Sequence, residues 1–258
     1  MKKFIFTIDD NIRFFEDLSK NNYKSIFENP YLAMIKRLHD KYGILPQLNL
    51  FFKNKTFELS QMTERYKKEF EQNSNWLKFS FHSFFEEPRP YEFVGYQQVF
   101  EDCQKTNEQI IRFAGESSLA KTTTIHYCLA TDDGVKALKD CGVKGLLGLY
   151  GDDNVPRMSY CCNDIVSGKI RRGEMVLDRG VVFAGIDQVI NGIYFEDIEK
   201  CMQPLLEREF VKVMIHEQYF YSDYKHYQPD FEQKLSLVFK ILIDNGYKSC
   251  FFEDVIEG

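Results

Sequence analysis

Tryptophan occurs once in the 258 residues, and proline only seven times. No stretch of uncharged apolar residues approaches the roughly 20 that a membrane-spanning helix needs. The apolar start at Phe4-Ile5-Phe6 resembles a signal peptide only briefly, because Asp9 and Asp10 interrupt it. A basic surplus is also missing. Lys plus Arg is 33 and Asp plus Glu is 39, for a net charge of −6, which argues against a nucleic-acid partner. There is no C-x-x-C pair among the seven cysteines, and seven is an odd number. That usage points to reduced thiols in a cytoplasmic protein rather than a disulfide framework or a structural zinc site. No repeat, linker or composition shift divides the chain.

What is abundant is aromatic and apolar. Phe occurs 24 times and Tyr 15 times, apolar residues make up 44% and charged residues 28%, a mix that can fill a large core. Strand and helix patterns alternate along the chain. Strands are expected at Phe4–Ile8, Ile44–Phe52, Leu77–Phe81, Thr122–Leu129, Leu146–Leu149, Phe210–Ile215 and Tyr247–Phe252. Helices are expected at Ile12–Leu18, Tyr31–Lys41, Met62–Gln72, Tyr96–Phe113, Thr131–Cys141, Phe195–Glu209 and Phe231–Asn245. Gly43, Gly115 and Gly142 stand where three of these helices should end. Residues 150–193 hold glycines, scattered charge and short β-like runs, and read as an irregular, hairpin-rich excursion. Strict alternation implies parallel strands in a single α/β domain, a distorted (β/α)7 barrel of the TIM-barrel type.

Sites in such folds collect where strands run into loops. The first strand ends in Asp9-Asp10, two carboxylates that repel unless a cation or a shared proton stands between them. Either that, or Asp10 or Asn11 merely caps the next helix. The third strand ends in His82-Ser83-Phe84-Phe85-Glu86, and one helical turn there would place His82 and Glu86 on one face as metal donors. His126-Tyr127 lies on the fourth strand and His216-Glu217 ends a late one. A histidine inside a β-run is more often a hydrogen-bonded core residue than a ligand. Still, three of the five histidines fall at or near expected strand ends.

Taken in order, these segments resemble the motifs of the polysaccharide deacetylase superfamily, the NodB-homology or carbohydrate esterase family 4-like group. Thr7-Ile8-Asp9-Asp10-Asn11 is similar to T-F-D-D-G, His82-Ser83-Phe84-Phe85-Glu86 to H-S-x-x-H, and Val213 to His216 covers a Leu-x-His. Thr124-Ile125-His126-Tyr127 keeps only the Tyr of R-x-P-Y. The resemblance spans nearly the whole chain and implies a distorted barrel of about seven strands. It also implies one divalent metal ion (zinc, manganese or another transition metal) and hydrolysis of an N-acetyl group on a sugar. Asp9 would be the general base and His216 the general acid. Asp10 and His82 would be metal ligands, with Glu86 in the place of a third, normally His.

Where the pattern departs, Thr124 stands for the Arg and His126 for the Pro. A fourth motif is not evident, with Asp178 and Asp187 as candidates. A site of Asp10, His82 and Glu86 is hard and anionic, which favours manganese, iron or magnesium over zinc. His126 would serve as a fourth ligand or an oxyanion donor. Tyr127, Glu217 and Tyr219 complete the expected substrate contacts, and Tyr219, Tyr221 and Tyr224 are candidates to stack on a sugar. The expected substrate is a small molecule or oligosaccharide. The alternatives are a catalytically degenerate barrel that binds carbohydrate or a partner, and a metal-free glycosidase working with two carboxylates.

Overall fold

A computed structural model describes residues 2–87, 91–150 and 159–257. Residues 151–158 of the expected excursion lie outside the described residues.

Strand β1 (Lys3–Asn11) is buried from Phe4 onward. Alternation divides its side chains between two environments. Phe4, Phe6 and Ile8 face the main core, where Phe239 lies edge-on to Phe6 at 4.9 Å between ring centroids. Ile5 packs instead with Leu147, Ala184 and Phe252 inside the ring of strands. Asp9 continues that inward row. β1 is followed by α1 (Arg13–Lys20) and α2 (Pro30–Tyr42), the latter closed by Gly43 in a left-handed conformation. Next come β2 (Pro46–Lys53), α3 (Lys67–Asn73) and β3 (Lys78–Phe85). α4 (Tyr96–Ala114) leads through Gly115 to β4 (Thr122–Thr123). α5 (Asp132–Asp140) begins at Thr131, whose side chain accepts from Gly134 N–H. β5 (Gly145–Gly148), α6 (Asp164–Arg171), β6 (Val176–Asp178), β7 (Val181–Gly185) and β8 (Gln188–Val189) follow. The chain ends with α7 (Ile198–Met202), β9 (Phe210–His216), α8 (Phe231–Asp244), β10 (Lys248–Ser249) and α9 (Phe252–Ile256).

One sheet has the order β3-β2-β1-β9-β8, with β10 beside the start of β1; a second has the order β4-β5-β7-β6. All pairings are parallel except β6 with β7. Two seams join the sheets into a ring. Between β3 and the segment of β4 the only ladder contact among the described residues is one bridge, Phe79 to Leu119 just ahead of β4, aided by Ser80 Oγ donating to Thr123 Oγ1 at 3.1 Å. On the other side the chain itself crosses: Ile186 N–H donates to Gly148 on β5, and Asp187 N–H donates to Lys212 on β9. β1, β2, β3, β4, β5, β7 and β9 form a distorted (β/α)7 barrel.

Several expected elements shrink. β4 keeps only Thr122–Thr123 of the expected Thr122–Leu129, because Tyr127 and Cys128 take left-handed backbone angles (φ 59° and 55°) that no strand accommodates. The expected helix at Phe195–Glu209 is helical in its middle, between tighter turns, with Pro204 at the second position of the later one. The expected last strand is two residues long before Phe252 opens α9. The seventh barrel strand, β7, comes from the excursion.

Candidate metal centre and its cavity

Asp9 and Asp10 are brought into one site by a break in β1. Asp10 has φ 63°, and the pairing of β1 with β2 shifts register between Ile8 and Asn11. A left-handed residue at such an irregularity re-aims the side chain that regular pleating would send outward. Asn11 holds the kink from below, donating to the Asn49 carbonyl at 3.1 Å.

Asp10, His82 and His126 converge, with one ligand atom from each within 4.8 Å of the others. Asp10 Oδ1 lies 3.1 Å from His82 Nε2 and 3.3 Å from His126 Nδ1, and the two ring nitrogens are 3.2 Å apart. The outer nitrogens are also fixed. His82 Nδ1 meets the Thr124 carbonyl, and His126 Nε2 meets the Glu86 carbonyl at 2.9 Å. A carbonyl only accepts, so each outer nitrogen carries the proton and each inner nitrogen of a neutral ring carries a lone pair. Burial pushes His82 below its ordinary pKa, against the pull of Asp10, which favours the neutral ring. Burial would raise Asp10, but His126 and His82 at hydrogen-bond distance hold its carboxyl well below the usual range. With both rings neutral, one lone pair from each of the three residues faces one point. This donor set fits a divalent cation.

The trio opens into a cavity of about 510 Å³ that Asp9, Glu86, Tyr127, His216 and Tyr219 also line. Glu86 is exposed just beyond β3, and its carboxylate is not in the tight trio; His126 supplies the third donor there. The reason is geometric. β3 stays extended to Phe85, so four residues from His82 to Glu86 span roughly 13 Å at about 3.3 Å per residue, instead of one helical turn.

Asp9 is 1% exposed and accepts from Asn49 Nδ2 at 2.6 Å. Burial first, and then the neighbouring Asp10, raise its pKa well above the ordinary value. His216 pairs with Asp9 across β9 and β1, and its Nδ1 lies 2.8 Å from Asn191 Oδ1. Burial lowers the His216 pKa, while Asp10 pulls the other way. Glu217 does not reach the cavity. It is wholly buried and caps the start of α1, accepting from Ile12, Arg13 and Phe14 N–H at 2.7, 3.0 and 2.9 Å and from Tyr221 Oη at 2.6 Å.

Other site neighbours carry no sequence signal. Gln218 Nε2 donates to Asp10 Oδ2 at 2.6 Å. Asn49 and Asn191, which hold Asp9 and His216, look like ordinary loop and strand polar residues until the fold places them. Asp187 instead pairs with Lys212 and Arg208, and Asp178 with Arg179. Thr124 Oγ1 is buried with no partner among the described residues.

No family model matches the chain, and no curated protein matches it. Solved structures do. A family 4 acetyl xylan esterase from Clostridium thermocellum, in complex with a cobalt ion, is 12% identical, with a TM-score of 0.52 over 99% of this chain and 91% of that one. The fold is that of the polysaccharide deacetylases. A peptidoglycan N-acetylglucosamine deacetylase is 11% identical, with a TM-score of 0.52 over 98% of this chain and 86% of that one. The 4-alpha-glucanotransferase from Thermococcus litoralis shares the architecture, at 14% identity and a TM-score of 0.61 over all of this chain. The chain spans 40% of that protein's length.

Proposed function

We propose that the chain is a metal-dependent hydrolase that removes an acyl group from an amide, with an N-acetylated sugar as substrate. The convergence of Asp10 Oδ1, His82 Nε2 and His126 Nδ1 carries this reading. Those three residues would hold the ion. Two imidazoles and one carboxylate form a softer set than the Asp-His-Glu site expected from the motifs, and they favour zinc or cobalt over magnesium. A bound divalent ion supplies Lewis acidity toward an acyl oxygen and makes water more acidic.

The remaining roles belong to the chain's own groups. Asp9 is the base: its raised pKa suits proton uptake nearer neutral pH, and Asn49 fixes its carboxylate. His216 donates Nδ1–H to Asn191, so Nε2 is the nitrogen left to hand a proton to the departing amine. Burial keeps Asp9 away from bulk solvent, at the wall of the cavity, and strengthens the electrostatic bias among these groups.

One observation favours a second reading. His216 rests on a neutral carboxamide and its pKa is lowered, so a protonated acid is less favoured than with a carboxylate partner. A pocket that binds an acylated sugar without turnover would tolerate this. A metal-free glycosidase accounts less well for the trio, since it requires a carboxylate pair and leaves two facing imidazole lone pairs unexplained. The test is acetate release from N-acetylglucosamine oligomers by protein loaded with zinc or cobalt. Release that is lost on chelation supports the hydrolase. Tight metal and sugar binding with no release supports the binding protein.

A further inference from the structure

The ladder between β4 and β5 stops at Thr123, and beyond it one side chain links the two strands. The Tyr160 hydroxyl accepts from Ile125 N–H at 3.1 Å and donates to the Leu147 carbonyl at 2.5 Å. A phenol has one proton to give, and burial holds the Tyr160 pKa well above its ordinary value, so that donor stays in place. The residue is wholly buried, with its ring 5.8 Å from that of Phe183 on β7. A phenylalanine would fill the same apolar space. Only the hydroxyl meets the two backbone groups.

The backbone that brings Tyr160 there is strained. Ser159, Tyr160 and Cys161 all have left-handed φ (54°, 63° and 54°), a conformation unfavourable to any residue with a Cβ. Three in a row persist only where the surroundings hold them. Here Ser159 Oγ donates to the Leu149 carbonyl, Arg179 Nη1 to the Tyr160 carbonyl at 2.9 Å, and Cys161 Sγ to the Ala130 carbonyl at 3.4 Å. The segment that these residues grip is itself bent. Cys128 N–H donates to the Ile125 carbonyl at 2.6 Å, closing the turn that carries His126. That turn is therefore held on both sides of His126, by Tyr160 at Ile125 and by Cys161 at Ala130.

We propose that Tyr160 is a positioning residue for the metal centre: its hydroxyl fixes the main chain at Ile125 so that the next residue, His126, presents Nδ1 to Asp10 and His82. The Glu86 carbonyl fixes the outer nitrogen of the ring, and Tyr160 fixes the backbone from which the ring extends. Tyr160 acts through His126 and not by ligation. The proposal rests on the reading of the trio as a metal site.

The test compares two variants of the full chain. Tyr160→Phe removes only the hydroxyl. It should weaken zinc binding about tenfold or more, as loss of a ligand's supporting partner does, and should change the d–d absorption of the cobalt-loaded protein. Phe183→Leu loosens the same apolar cluster but keeps the hydroxyl, and should leave zinc affinity within about twofold of the wild type. In the metal-free protein, Tyr160→Phe should also move the NMR resonances of the His126 ring, while those of His39, stacked on Trp76, stay in place. Zinc affinity unchanged by Tyr160→Phe would overturn the proposal, as would an equal loss in both variants. If Tyr160→Phe does not fold, the wild type decides: the Tyr160 hydroxyl proton should exchange slowly and show cross-relaxation to Ile125 N–H, and its absence would overturn the proposal. A wild type that takes up no zinc, while Tyr160→Phe still moves the His126 resonances, supports the positioning role and counts only against the metal reading. Zinc uptake indifferent to Tyr160 does the reverse.

Discussion

His82 Nε2 and His126 Nδ1 face each other at 3.2 Å, each ring anchored from behind by a backbone carbonyl. This pair sets an order among the ligands. His82→Ala and His126→Ala should each weaken zinc binding by more than the roughly 10–100-fold typical of losing a ligand's supporting partner. Glu86→Gln should change it by less, because its side chain lies outside the trio. Competition titration with a chromophoric chelator measures all three. A Glu86→Gln loss as large as that of His126→Ala would restore the ligand set expected from the motifs.

The two adjacent aspartates should separate in function. Asp10→Asn removes a charge from the trio and should lower both metal affinity and turnover. Asp9→Asn leaves the trio intact, and should keep metal affinity while cutting turnover by about 10² to 10⁴. Equal loss of metal in both variants would contradict the division that the left-handed Asp10 imposes.

Glu217 offers a stability test separate from chemistry. Its carboxylate takes three backbone N–H groups at the start of α1 and the Tyr221 hydroxyl, all in a buried setting. Glu217→Ala orphans these donors and should destabilise the fold by about 3 kcal/mol in urea unfolding. Loss within a few tenths of a kcal/mol would show that the cap is dispensable.

The metal-free protein should show opposing pH signatures. His216 titrates below its unfolded value of about 6.5, so the unfolded chain takes up the proton first. That contribution is present above pH ~6.5 and is lost as pH falls through the folded pKa. Asp9 is raised, so the folded chain holds a proton that the unfolded chain has released; its contribution is present at low pH and is lost as pH rises through the folded pKa. His216→Gln should therefore flatten the acid-side loss of stability, and Asp9→Asn should steepen it. Urea midpoints across pH 4.5–7.5 read both slopes, and the same sign in both variants would contradict the assignment.

The sequence makes the barrel legible because buried parallel strands such as β1 are nearly continuous apolar runs, with capped helices between them. Asp9, Asp10, His82 and His216 are visible for a related reason: each stands where such a run stops. His126 is harder to read. Its segment has the composition of a strand, but the backbone turns left-handed just after it at Tyr127 and Cys128, and its ring lies against His82. Glu86 misleads because spacing by four means neighbours on a helix but roughly 13 Å along a strand. Asn49, Asn191 and Gln218 stay hidden, since a carboxamide has no distinguishing pattern until tertiary contacts aim it.

The central claim is most directly tested by an anomalous difference map from crystals grown with zinc, collected at the zinc edge. One peak should lie among Asp10 Oδ1, His82 Nε2 and His126 Nδ1, at about 2.0–2.2 Å from each donor. No peak at that point, or one ligated by Glu86 in place of His126, would contradict the account.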